Sequence, residues 1–170
     1  MPYRILVAYS SRTGVTREIA ERIGNIFRRD GLDATVCETN KPVDIDAYDY
    51  VIFGSPIYGG ALRDDLLTFI EAHQMELIGK PAAIFTVGML PALDRASAHG
   101  EHDGAVELAR MRAPGFKPIS HGIFAGAYYP ERVDFVSRKL MQQKKALVGD
   151  HRDWHQIEQW ASGLTGQMAA

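Results

Sequence analysis

The chain has 170 residues, 24% of them charged, with a formal net charge of −2 at pH 7 and a single cysteine. That length suits one domain with a sizeable core, and the near-balance of charge excludes wholesale nucleic-acid binding and an acidic interaction tail. Cys37 alone excludes an internal disulfide and a cysteine-based zinc or iron–sulfur site, and it reads as a core or edge filler. The start Met1-Pro2-Tyr3-Arg4 enters a strand pattern directly, so no signal peptide is expected. The longest uncharged stretches, such as 50–62, fall short of the ~20 residues a membrane-spanning helix needs. The expectation is a soluble, cytoplasmic protein.

The apolar run Ile5-Leu6-Val7-Ala8-Tyr9 marks a buried strand over 4–10. An amphipathic helix is predicted over 16–30, with Val15, Ile19, Ile23, Ile26 and Phe27 on one face and Gly31 as its stop. Between them lies Ser10-Ser11-Arg12-Thr13-Gly14-Val15-Thr16. A hydroxyl-rich loop between a buried strand and a helix N-terminus suits a phosphate, because the helix offers unpaired N–H groups and partial positive charge there. Ser11, Thr13 and Thr16 add hydroxyl donors, and Gly14 lets backbone approach the ligand. With no lysine, the loop suits a terminal monophosphate held by neutral donors rather than a nucleotide triphosphate.

Further strands are predicted over 33–38, 50–54, 82–87 and 122–126, and further helices over 62–76, 104–111, 132–147 and 153–164. Several strands are apolar on both sides of the pleat, as parallel strands covered on both faces must be. In the last helix Trp154, Ile157, Trp160, Ala161 and Leu164 form an apolar stripe, and Asp153 with Gln156 makes a capping box. Strict alternation of strands and helices indicates a doubly wound α/β sheet with its ligand at the carboxyl ends of the strands. Two further loops lie at that edge. Gly54-Ser55-Pro56-Ile57-Tyr58-Gly59-Gly60-Ala61-Leu62 places an aromatic beside two glycines, which suits stacking on a planar ring with backbone groups along the ring edge. Val87-Gly88-Met89-Leu90-Pro91-Ala92 is apolar and placed to flank the ring's other side. No G-x-G-x-x-G follows a strand, no Walker pattern appears, and Gly54-Ser55 stands where a receiver domain would carry a carboxylate.

Together these loops resemble the flavodoxin family, over about residues 4–164, with Ser11-x-Thr13-Gly14-x-Thr16 matching its phosphate fingerprint. The resemblance implies a flavodoxin-like five-stranded parallel sheet of order 2-1-3-4-5 with helices on both faces, and FMN as cofactor. It implies that Ser11, Thr13, Gly14 and Thr16 hold the FMN phosphate, with Arg12 and Val15 giving mainly backbone N–H groups. Pro56, Ile57, Tyr58, Gly59 and Gly60 would line the flavin ring on one side, and Gly88 and Met89 on the other.

After the fifth strand come Gly126-Ala127-Tyr128-Tyr129-Pro130, a basic amphipathic segment, and Gly149-Asp150-His151-Arg152-Asp153-Trp154. With Thr13-Gly14-Val15-Thr16-Arg17-Glu18-Ile19-Ala20, this layout resembles the flavodoxin-like, menaquinone-dependent protoporphyrinogen oxidase family of haem biosynthesis. That resemblance implies one domain over 1–170 with a helical insertion at about 128–150. It also implies an FMN oxidoreductase passing electrons from a reduced tetrapyrrole to a quinone. Two departures stand out: Thr13 occupies a position expected to be acidic in some of that family, and the insertion is less apolar than a strong membrane-docking element. Arg132, Arg138, Lys139, Lys144 and Lys145 alternate there with Val133, Phe135, Val136, Leu140 and Met141, a pattern that fits either a solvated helix or peripheral contact of 131–147 with the inner face of the cell membrane.

The alternative is a flavodoxin-type electron carrier that docks to a redox protein partner, although such carriers often present a denser acidic surface. No side chain stands out as a catalytic acid or base. His99, His102 and Asp103 lie just beyond the third loop and either border a substrate or form a solvated loop, the reading their Gly/Asp/His composition favours, and His99-x-x-His102 lacks the further ligands of a metal site. Tyr128 and Tyr129 either reach the flavin edge or pack at the strand end, and His151 and Arg152 order the turn before the last helix. Apolar helix faces would permit a homodimer.

Overall fold

The computed structural model describes residues 1–169. Strand β1 (Arg4–Tyr9) is apolar on both faces, so it needs cover on both, and it lies inside a parallel sheet. It pairs with β2 (Asp33–Glu38) on one side and β3 (Tyr50–Tyr58) on the other. β5 (Ala82–Gly88) and β6 (Pro118–Ala125) extend the sheet to the order β2-β1-β3-β5-β6, with every pairing on this path parallel. This is the doubly wound, flavodoxin-like order expected from the sequence. The order reverses between β1 and β3, which makes their carboxyl ends the place for a ligand.

Alternate strand residues feed two cores. Ile5, Val7, Ile52, Phe85 and Phe124 pack under helices α1 (Val15–Arg29) and α7 (Trp154–Ala169). Leu6, Ala8, Val51, Phe53 and Ile84 pack under α2 (Asp64–Ala72), α3 (Gln74–Leu77) and α5 (Arg95–Arg112). Each fully buried side chain such as Phe53 or Phe85 contributes roughly 1.5–3 kcal/mol. Helix α1 stops as expected: the Leu32 N–H donates to the Phe27 carbonyl at 3.0 Å and the Gly31 N–H to Arg28 at 3.1 Å. Cys37 is half-buried on edge strand β2, where burial raises its thiol pKa.

Several boundaries differ from the sequence reading. β3 runs on to Tyr58 and folds back through Gly59-Gly60 into β4 (Ala61–Leu62), pairing antiparallel, so most of the expected second loop is a hairpin. The helix expected over 62–76 is interrupted at His73, which caps α2. The third loop contains one helical turn, α4 (Leu90–Leu93). Helix α5 starts at Arg95 rather than 104, because Asp94 caps it by accepting the Ser97 N–H at 3.2 Å and the Ser97 hydroxyl at 2.6 Å. His99, His102 and Asp103 therefore lie on a helix and not in a solvated loop.

Residues after β6 leave the sheet and return. β7 (Ala127–Tyr128) pairs antiparallel with β8 (Gly149–Asp150), closing the base of an excursion that carries α6 (Phe135–Gln143). The helix expected over 132–147 is cut to this length at both ends. Asp134 caps its start by accepting the Ser137 N–H at 2.8 Å, and Lys145 takes a left-handed backbone (φ 52°) just past its end. The Asp153 carboxylate accepts the Gln156 N–H at 3.1 Å at the start of α7.

Candidate functional site

A cavity of about 570 Å³ opens where β1, β3, β5 and β6 end, beneath α6. Its first wall is the loop after β1, with Ser11, Arg12, Thr13, Val15 and Thr16 lining it. Gly14 does not line the cavity; it is the residue that caps α1, and its left-handed backbone (φ 86°) is one that a side chain would strain. The Gly14 N–H donates to Ser11 Oγ at 3.1 Å, and the Gly14 carbonyl accepts the Glu18 N–H at 3.0 Å. No side chain caps the helix, so N–H groups of its first turn remain for a ligand, with the positive end of the helix dipole behind them.

The second wall is the β3–β4 hairpin. Pro56, Ile57, Tyr58 and Gly59 line the cavity, and Gly60 sits in the turn without lining it. Buried Ser55 pins the hairpin: its hydroxyl accepts the Arg63 N–H at 3.0 Å and donates to the Pro56 carbonyl at 2.8 Å. Tyr58 remains 49% exposed, leaving its ring available for stacking. Burial raises its phenol pKa, opposed by the Arg12 and Arg63 guanidinium groups.

Gly88, Met89 and His102 form the third wall. Here the sequence reading missed a buried network. Thr86 Oγ1 lies 2.7 Å from His102 Nδ1 and 2.7 Å from His121 Nε2, and His121 Nδ1 lies 3.0 Å from Asp103 Oδ1. His102 is completely buried, and its Nε2 has no hydrogen-bond partner among the described residues. Burial, followed by His121 as a neighbour, lowers its pKa to about 4. A Cβ at position 88 would stand 3.0 Å from that Nε2, a tight contact that the imidazole would have to relieve by a few tenths of an ångström.

Helix α6 and the segment before it close the cavity from above, contributing Val133, Ser137, Leu140, Met141 and Lys144. They are tied to the first wall. Arg12 donates to Asp134 at 2.7 Å and to Ser137 Oγ at 2.9 Å, and Arg132 reaches the Thr13 carbonyl at 3.4 Å. Both tyrosines of the excursion line the cavity. Tyr128 is buried with its hydroxyl unpartnered among the described residues, whereas the Tyr129 ring carries the Arg132 guanidinium 4.3 Å from its centroid. Arg152, its side chain only 5% exposed, pairs with Asp150 at 2.7 Å and with Glu18, fixing the base of the excursion to α1. Its hydrogen bonds hold the Asp150 carboxyl at about 2.

An uncapped helix N-terminus beside the hydroxyls of Ser11, Thr13 and Thr16 opens onto a largely apolar cavity that Tyr58 and Met89 also line, which offers donors for a monophosphate and apolar walls for a ring. The family model described as "Flavodoxin domain" matches residues 6–154. The chain belongs to the flavodoxin-domain family. This flavodoxin-domain chain is similar to the protoporphyrinogen IX dehydrogenase [quinone] of Escherichia coli K12, 27% identical over 93% of this chain and 92% of that protein. It is similar also to the NAD(P)H dehydrogenase (quinone) of Archaeoglobus fulgidus, 24% identical over 86% of this chain and 97% of that protein. Among solved structures, the Streptococcus pneumoniae TIGR4 flavodoxin superposes with a TM-score of 0.63 at 21% identity, covering 96% of this chain and 99% of its own. That likeness is one of fold.

Proposed function

We propose that this flavodoxin-domain protein binds FMN in the cavity and works as a quinone-linked oxidoreductase, with protoporphyrinogen IX as the reduced substrate. The observation that carries the reading is the uncapped N-terminus of α1, beside the hydroxyls of Ser11, Thr13 and Thr16, opening onto a largely apolar cavity of about 570 Å³. Ser11, Thr13 and Thr16 hydroxyls, with N–H groups from Arg12 to Thr16 around Gly14, would hold the phosphate. The Arg12 side chain is committed to Asp134 and Ser137, so the loop meets the phosphate with neutral donors. Tyr58 and Met89 would sandwich the ring, while Pro56, Ile57, Gly59 and Gly88 present backbone along its edge and Gly60 completes the hairpin turn behind them. FMN would supply the redox chemistry, and the protein supplies position, exclusion of water and hydrogen bonds. Among the described residues that line the cavity, the Tyr128 hydroxyl and His102 Nε2 are buried side-chain atoms without a hydrogen-bond partner.

The two relatives named above share a quinone in their names and differ in the electron donor, which supports quinone as acceptor more strongly than any donor. The whole chain forms one domain and works on the cytoplasmic side of the membrane. α6 and the segment after it expose Phe135, Val136, Leu140 and Val148 beside Lys139, Lys144 and Lys145. We assign this face to contact with an anionic membrane where a quinone would reside; no helix among the described residues is long and apolar enough to cross one. Cosedimentation with anionic vesicles tests that contact, and light scattering tests whether the protein is a homodimer.

The decisive experiment is anaerobic turnover of FMN-loaded protein with protoporphyrinogen and a menaquinone analogue, followed by protoporphyrin fluorescence. Protein- and quinone-dependent fluorescence above the autoxidation blank is the expected result. Absence of turnover in protein that demonstrably holds FMN would overturn the substrate and leave an electron carrier or another quinone-linked reaction.

A further inference from the structure

We propose that Asp103, His121, Thr86 and His102 form a directional proton relay between the protein surface and the cavity, with His102 Nε2 as the atom that exchanges a proton with the ligand. The relay deepens the redox function proposed above and rests on it for the identity of the ligand, though its direction is a property of the protein alone.

The direction follows from counting protons. An ionised Asp103 is only an acceptor, so the His121 nitrogen 3.0 Å away, Nδ1, must carry hydrogen. Neutral His121 then presents a bare Nε2, which accepts the Thr86 hydroxyl hydrogen at 2.7 Å. Thr86 has one hydrogen and has spent it there, so its oxygen must accept from His102 Nδ1 at 2.7 Å. His102 is thereby fixed as the Nδ1–H tautomer, and its buried Nε2 keeps an unshared lone pair behind Gly88, a residue of the cavity wall. One exposed carboxylate sets the state of a buried nitrogen three hydrogen bonds away. The gradient of exposure runs the same way: the Asp103 side chain is 65% exposed, that of His121 16%, and His102 is fully buried.

A lone pair at a cavity where a reduced substrate gives up hydrogen is a base. As a proton leaves a ligand N–H or O–H, the new bond forms to His102 Nε2. The Nδ1 hydrogen passes to Thr86, the Thr86 hydrogen to His121 Nε2, and the His121 Nδ1 hydrogen to Asp103 and on to water, after which water rather than the carboxylate faces the bare Nδ1. One proton enters and one leaves, with no electron moved by the relay. The array then points the other way, with His102 Nε2–H as a donor. Returning that proton when the ligand is next reduced restores the first orientation, with replacement from solvent at Asp103. The low pKa of His102 suits this role, because the imidazole passes charge on rather than storing it. The titratable groups that act on His102 are His99 and Asp103 on α5 and His121 on β6.

The test begins with flavin-free protein labelled with nitrogen-15 histidine. Two-bond proton–nitrogen correlation at neutral pH should show His102 and His121 each protonated at Nδ1 and bare at Nε2. Asp103→Asn, an exposed change that leaves the fold intact, lets an amide offer either a donor or an acceptor to His121. It should turn the His102 signals into a mixture of tautomers. A His102 protonated at Nε2 in the unaltered protein, or a His102 spectrum indifferent to Asp103→Asn, would overturn the relay. The FMN-loaded protein gives the second readout: proton uptake and release on reduction and reoxidation, followed with a pH indicator in stopped flow. Thr86→Val should slow that exchange by about tenfold or more while FMN still binds, and an unchanged rate would count equally against the proposal. Failure of FMN to bind would sink the cofactor assignment alone, since the tautomer measurement needs no flavin.

Discussion

On the α1 side of the cavity, neighbouring residues from Ser11 to Thr16 build a wall from short-range parts: hydroxyls, backbone N–H groups and one glycine turn. On the β5 side, Thr86, His102, His121 and Asp103 come from a strand, a helix and another strand, and they meet only because the sheet brings β5 beside β6 and lays α5 against them. The first wall has several like donors, so losing one leaves others in place. The second is buried and each member depends on the next, so losing one leaves its neighbours unpaired in a low dielectric. Single substitutions should therefore act gradually on the loop and abruptly on the network.

The largest effect expected is that of Thr86→Val, which turns a methyl toward His102 Nδ1 and His121 Nε2. Leaving buried polar atoms unpaired costs about 1–3 kcal/mol each, read as a lower urea midpoint. A loss no larger than the roughly 0.5 kcal/mol typical of surface changes would break the contrast.

Acid should act through the same wall. His102 titrates at 6.5 in its ordinary state and at about 4 in the fold, so the unfolded chain binds more protons between those values. Stability is fully present above pH 6.5 and falls as the pH drops toward 4. His121, lowered chiefly by burial, adds to the same slope. Asp150, held at about 2 against 3.8, loses its contribution in a separate, lower window. Urea titrations at stepped pH should show the upper loss in the unaltered protein and a shallower one in His102→Asn.

On the loop wall, Gly14→Val forces a side chain into left-handed backbone at a cost of about 1–2 kcal/mol. FMN affinity should fall by about tenfold in a fluorescence titration. Ser11→Ala and Thr16→Ala each remove one neutral hydrogen bond of about 0.5–1.5 kcal/mol, a loss of roughly three- to tenfold in the same assay. An all-or-none loss from either hydroxyl would show that the loop is not redundant. The smallest effect belongs to Arg12→Gln, which cuts an exposed ion pair of the kind that adds little to stability. Faster hydrogen exchange in α6 with little change in overall stability is the expected signature.

The same contrast governs what could be read in the sequence. The loop wall was legible because its chemistry is contiguous and its flanks carry clear periodicity: Ile5 to Tyr9 before it, and Val15, Ile19, Ile23 and Phe27 after it. Strand order was legible through residues such as Leu6, Val51 and Ile84, apolar where an exposed face would be polar. The histidine wall was not. Gly100 and Gly104 gave 94–104 the composition of a loop, although the Asp94-x-x-Ser97 cap was a local sign of a helix start that outweighs two glycines. With the helix unseen, His102 had no face and no depth. His121 precedes the strand as first bounded, and nothing local ties it to Thr86; that pairing exists only through the register of β5 with β6. The hairpin at Tyr58 was hidden for a related reason, since Gly59-Gly60 marks a turn but not whether the chain beyond pairs back onto β3.

The measurement that bears most directly on the account is a paired titration of flavin-free protein with FMN and with riboflavin, read by quenching of flavin fluorescence. A monophosphate held at the α1 N-terminus predicts one FMN per chain, with riboflavin bound at least about tenfold more weakly for want of the phosphate. No quenching by FMN, or equal affinity for the two flavins, would contradict it.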